Sequence, residues 1–128
     1  MAINYGKLST TQSLIQQNII LIWSELDVSG DPDDFMPIYS KLDKNSAIYR
    51  KIKNIIGDLK NDVIVGIRLK QKQIPKYYIK KHDINAVYKV DLPNYFRLIY
   101  GILVIHGEKK ALLMELFDHD KYNKRFGY

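Results

Sequence analysis

The last third of the chain leaves little freedom about what it can form. The runs "NAVYKVDL", "YFRLIYGILVI" and "KALLMELF" are dense in β-branched and aromatic residues and are broken only by "PN" and "HGEK". Such side chains fit a pleated, half-buried surface, and short breaks carrying Pro, Asn or Gly turn the chain back on itself. Three antiparallel strands joined by tight turns is the expected result. The second and third runs are apolar at consecutive positions, which predicts central strands with helices over one face and partial cover on the other.

Upstream the period changes. Leu14, Ile15, Ile19, Ile22, Trp23 and Leu26 recur at steps of three and four, which predicts a helix over Thr11 to Leu26. Ile48, Ile52, Ile55 and Leu59 repeat the pattern behind Asn45 and Ser46, either of which can accept a bond from the free amides of a first helical turn. "AINYGKL" is a candidate edge strand, and "HDKYNKRFGY" has room for roughly two turns of helix after the last strand. The expected fold is α+β: a small antiparallel sheet, two N-terminal helices packed on one face, and a short C-terminal helix.

At 128 residues the chain fits one domain, residues 1–128, with a single core. The longest fully apolar run, "IILIW", is far too short to span a membrane. "MAINYGKLSTTQ" lacks the pattern of a secretory signal, so residence in the cytoplasm is the expectation. With no cysteine, disulfides, thiolate catalysis and cysteine-ligated zinc are excluded.

A formal net charge of +6 favours polyanionic partners, and the charges are unevenly spread. Asp27, Asp31, Asp33 and Asp34 gather in "DVSGDPDD", which lacks the glycine placement and closing glutamate of a calcium loop and reads as a solvated loop. Arg68, Lys70, Lys72, Lys76, Lys80 and Lys81 gather in "RLKQKQIPKYYIKK", with Tyr77 and Tyr78 among them. Without helical or strand period, this Pro75-containing stretch reads as a long loop. Its composition suits tracking a phosphate backbone or receiving an acidic partner.

The stretches "IPKYYIKKHDINAVYKVDLPNYFRLIYGI" at 74–102 and "ELFDHDKYNKRFGY" at 115–128 resemble the small toxins of the RelE/ParE superfamily of type II toxin–antitoxin systems. They look like that family's hairpin with an Arg-Leu-x-Tyr core and its histidine-led C-terminal segment. Together with the strand between them they cover about the last half of the chain. The resemblance implies a protein silenced by a cognate antitoxin. It also implies an endoribonuclease that cuts mRNA on the ribosome without a metal or other cofactor. On the other branch, the resemblance implies a ParE-like inhibitor of DNA gyrase. An inactive relative that only binds nucleic acid is a third reading.

Cleavage by attack of the 2′-hydroxyl needs a proton acceptor, a cation for the phosphate and a donor for the departing 5′-oxygen. Arg97 in "YFRLIY" matches the family's catalytic arginine, and its guanidinium suits phosphate oxygens. Against this, a three-residue turn of Pro93, Asn94 and Tyr95 sets Asp91 opposite Arg97, where the two can form a cross-strand ion pair. A two-residue turn would put Val90 there instead. His119 matches a catalytic histidine of several branches and suits proton transfer, although a helix-start histidine between Asp118 and Asp120 can also be inert. Lys89 shares a strand face with Val87 and Asp91 and can assist Arg97. Many relatives carry a second basic residue where this chain has Asp91, a departure that weakens the cleavage reading. Tyr122, Phe126 and Tyr128 offer faces for unstacked bases, or anchors for the core. His106 falls at a turn, and His82 in the basic stretch can meet RNA or nothing.

Overall fold

The alternation along the three apolar runs sets the sheet. In a computed structural model that describes residues 26–128, the strands are β1 (Asp27–Gly30), β2 (Ile67–Arg68), β3 (Val87–Asp91), β4 (Phe96–Ile105) and β5 (Glu108–Asp118). Four helices accompany them among the described residues: α1 (Met36–Tyr39), α2 (Ala47–Lys60), α3 (Lys76–His82) and α4 (His119–Phe126). The expected helix over Thr11 to Leu26, Leu26 itself excepted, and the candidate strand in "AINYGKL" lie outside the described residues.

The strand order is β1-β5-β4-β3-β2, so the two most apolar runs are indeed central. β3 to β5 pair antiparallel as expected, and β2, which was not expected, adds antiparallel to β3; β1 lies parallel to β5, with Asp27 beside Lys110 and Gly30 beside Leu113. The sheet is therefore mixed rather than antiparallel. β1 falls inside the acidic stretch read as a solvated loop. Four residues with only Val28 apolar are too short and too polar to show a strand period.

α2 begins as the capping signal implies: the Ser46 hydroxyl accepts the Tyr49 amide, and Ile48, Ile52, Ile55 and Leu59 are buried. They cover the sheet face that carries Val90, Leu98, Tyr100, Leu113 and Leu116. A register shift between Ile99 and Tyr100 keeps both halves of the long β4–β5 ribbon facing their cores. The opposite face carries Val87, Ile99, Met114 and Phe117, and α3 and α4 cover it through Tyr78 and Tyr122. Helices thus lie on both faces, where the sequence reading expected cover mainly on one.

The Pro75-containing basic stretch read as a loop holds the end of β2, a 3₁₀ turn at Gln71–Gln73 and most of α3. Pro75 stands at the start of α3, where its missing amide costs nothing. Ile84, just beyond α3, presses on Gly101 so closely that a Cβ there would sit 2.0 Å from its terminal methyl. Among the described residues, no helix is long and apolar enough to cross a membrane.

Candidate functional site

The β3–β4 turn decides where the hairpin's polar residues fall. It is the three-residue form, Pro93–Tyr95, closed by the Leu92 amide donating to the Phe96 carbonyl at 2.9 Å. Asp91 therefore faces Arg97. Arg97 Nε lies 2.9 Å from Asp91 Oδ1, but its N–H is not aligned with that oxygen, so the contact is ionic rather than a directed hydrogen bond. Nη1 donates to the Phe96 carbonyl at 3.1 Å. Lys89 Nζ stands 4.0 Å from the same carboxylate. The Arg97 side chain is 17% exposed against 64% for Asp91, so the carboxylate is the outer partner.

Both cations lie over one aromatic ring. The guanidinium carbon of Arg97 is 5.5 Å, and Lys89 Nζ 5.7 Å, from the centre of Tyr122. Tyr122 is buried among Phe117, Phe126 and Tyr128, and its phenol is pushed up to about 12, first by burial and then by the neighbouring Tyr128. Phe126 also packs inward, against Tyr78. Tyr122 and Phe126, candidate base-stacking faces, are thus core anchors, while Tyr128 stays exposed.

His119 opens α4, where the Asp118 side chain caps the helix by accepting the Lys121 amide at 3.0 Å. Its ring lies 6.4 Å from that of Tyr122, inclined to it by 29°, and its Nε2 is 3.2 Å from Asn123 Nδ2. Arg97, Lys89 and His119 therefore gather around one tyrosine. They do not share one opening: a concavity of about 370 Å³ is lined by Tyr95, Asp118, His119 and Asp120, with Arg97 and Lys89 outside its wall.

The basic stretch divides. Lys70, Lys72, Lys76 and Lys80 are exposed, the first two around the 3₁₀ turn and the others on α3. Lys81 is not free to meet RNA: its ammonium stands 3.0 Å from Asp34, 3.2 Å from Asp31 and 3.2 Å from Asp33. Burial alone would lower its pKa, but hydrogen bonds to Asp34, Asp31 and Asp33 prevail and raise it. His106 occupies the β4–β5 turn and is exposed. His82 is packed against Asp31 rather than presented outward, with Nε2 3.7 Å from Asp31 Oδ1 and no hydrogen-bond partner among the described residues. Burial, ahead of the opposing pull of Asp31, lowers its pKa from 6.5.

These contacts form a second polar cluster. Asp31 is buried and accepts the amides of Asp33 and Asp34, so the acidic stretch is a folded turn rather than a solvated loop. Tyr77 donates to Asp34, whose carboxyl burial would raise, yet bonds from Tyr77 and Lys81 lower it below 3.8. The Arg125 guanidinium lies 3.6 Å from the Tyr77 ring centre and bonds both oxygens of Glu115, at 2.9 Å and 3.1 Å. Tyr78 donates to Glu115 at 2.6 Å, and its own phenol is pushed up by burial and that carboxylate. Sequence reasoning missed this chain of contacts, though two signals were present. Asp31 precedes amides that its side chain can cap, and Glu115 interrupts the apolar run "ALLMELF". Each charge has an opposite partner, so the cluster fastens α3 and α4 to β5 and the acidic turn.

No protein-family model, no curated protein and no solved structure matches the chain.

Proposed function

We propose that this chain is a toxin-like endoribonuclease that cuts mRNA on the ribosome without a metal in the chemical step and is silenced by a cognate antitoxin. The grouping of Arg97, Lys89 and His119 around Tyr122 supports this reading. Arg97 and Lys89 balance the charge that grows on the phosphate as the 2′-hydroxyl oxygen attacks phosphorus. His119 Nε2 faces Asn123, which yields that nitrogen when it accepts the 2′-hydroxyl proton. The imidazolium so formed returns a proton to the departing 5′-oxygen, leaving a 2′,3′-cyclic phosphate. Asp91 must release Arg97 for the phosphate to enter, and its exposure makes that step cheap.

The Arg97–Asp91 contact also favours a second reading, a non-hydrolytic member that binds nucleic acid or blocks gyrase as ParE-like toxins do. Controlled expression separates the two. Under the first reading, message is cut only where ribosomes are present, and Arg97→Ala or His119→Ala each slows cleavage by about 10²-fold or more. Supercoiling defects with intact message would establish the second.

A further inference from the structure

Tyr95 stands in an unusual place for its size. It ends the β3–β4 turn behind Asn94, and both residues are left-handed, at φ 62 and φ 60. Asparagine visits that region readily, but a bulky aromatic does so at a cost, and turns of this length ordinarily put glycine at the left-handed position. Packing does not repay the strain, because Tyr95 is 77% exposed and stacks on no other aromatic ring among the described residues. The ring instead forms one wall of the concavity that His119 also lines.

The remaining wall fixes what such a seat accepts. Asp118 and Asp120 bring carboxylates, and among the described residues no lysine or arginine lines the opening. The free amide of Lys121 is already taken by Asp118, so the helix end offers no anion seat there either. A phosphate would be repelled, whereas a flat, uncharged group with N–H donors on its edge would meet aromatic faces and acceptors together. The cations that suit a phosphate, Arg97 and Lys89, do not line this opening, although they lie 5.5 Å and 5.7 Å from the Tyr122 ring centre.

We propose that Tyr95 and His119 form a seat for one unstacked nucleobase, with Tyr95 as its stacking face and Asp118 and Asp120 accepting from an amino-bearing edge. The seat rests on the reading that single-stranded RNA is the substrate, and adds to it a preference for amino-bearing bases over uracil beside the cleaved bond. Tyr95 is then a specificity-determining residue, separate from the groups that handle the phosphate.

The test uses the full chain and fluorescently labelled single-stranded oligocytidylate, oligoadenylate and oligouridylate at one fixed salt concentration. Wild-type protein is expected to bind the first two more tightly than the third. Tyr95→Phe should retain that order, and Tyr95→Gly should weaken the tighter complexes by about tenfold and erase the preference. Because glycine relieves the left-handed turn, Tyr95→Gly should also melt at a higher temperature than wild type, which excludes misfolding as the cause. Equal binding of all three oligonucleotides by wild type, or undiminished binding by a stable Tyr95→Gly, overturns the seat. Cleavage on ribosomes that is indifferent to Tyr95 also overturns the seat while sparing the ribonuclease reading. A Tyr95-dependent base preference without any cleavage does the reverse.

Discussion

Arg97 is a cation set against a carboxylate, and any phosphate that reached it would have to compete with Asp91. The pair is exposed on the Asp91 side, and such ion pairs are typically worth about 0–1 kcal/mol. Asp91→Ala should therefore leave the urea midpoint nearly unchanged, within about 1 kcal/mol, while raising affinity for single-stranded RNA by up to about tenfold. Weaker RNA binding in a stable Asp91→Ala protein would mean that the carboxylate itself takes part in recognition. Part of this was legible in the sequence: the facing of Asp91 and Arg97 is one of the two registers the turn allowed, and a helix starting at His119 was expected, while Asp118 as its cap was seen only in the structure. Tyr95 was not legible, because a left-handed backbone at φ 62, with strain of order 1–3 kcal/mol, has no signature in residue type when the residue is not glycine.

The elements divide by the strength of their period. α2 and the strands β3 to β5 repeat their apolar residues over enough turns or pleats that the sequence shows them directly. α3 does not: in seven residues its apolar side chains, Tyr77, Tyr78 and Ile79, are consecutive, and lysines surround them. Besides the buried Tyr78, what holds α3 is polar and distant in sequence, the reach of Lys81 back to Asp31, Asp33 and Asp34 some 47 to 50 residues earlier. No local pattern can encode such a contact, so a fold element looked like a binding loop, and a structural lysine looked like an RNA ligand. Lys81→Met should lower stability by about 2 kcal/mol, because it strands the buried Asp31 carboxylate. Lys80→Met, one residue earlier and exposed, should stay within about 0.5 kcal/mol of wild type. Paired urea titrations read the contrast, and equal effects would show that Lys81 is only a surface charge.

At the scale of the whole molecule, the two polar groupings sit on one side of the sheet and differ in what proton binding does to them. His82 is packed against Asp31, with Lys81 and Asp34 also facing it, and its folded pKa is depressed below 6.5. The unfolded chain therefore binds a proton first as pH falls, so the stability that neutral His82 contributes is complete above 6.5 and is lost below it. Asp34 has the same sign lower down: its folded pKa lies below 3.8, so its contribution is present above 3.8 and lost as pH falls through the folded value. On the alkaline side the order reverses. Tyr77, Tyr78, Tyr100 and Tyr122 are all raised above 10.0 in the fold, so the unfolded chain loses protons first above that pH and stability declines. A plateau between about pH 7 and pH 9.5 follows, with an acid limb no steeper at its onset than one proton allows, about 1.4 kcal/mol per pH unit. His82→Gln should remove the part of that limb just below 6.5 and leave the lower part, owed to Asp34, in place. Urea midpoints of the two proteins across pH 4 to pH 8 measure this. If the limb near 6.5 persists in the variant, its proton goes to another group, and the burial of His82 against Asp31 does not govern acid stability.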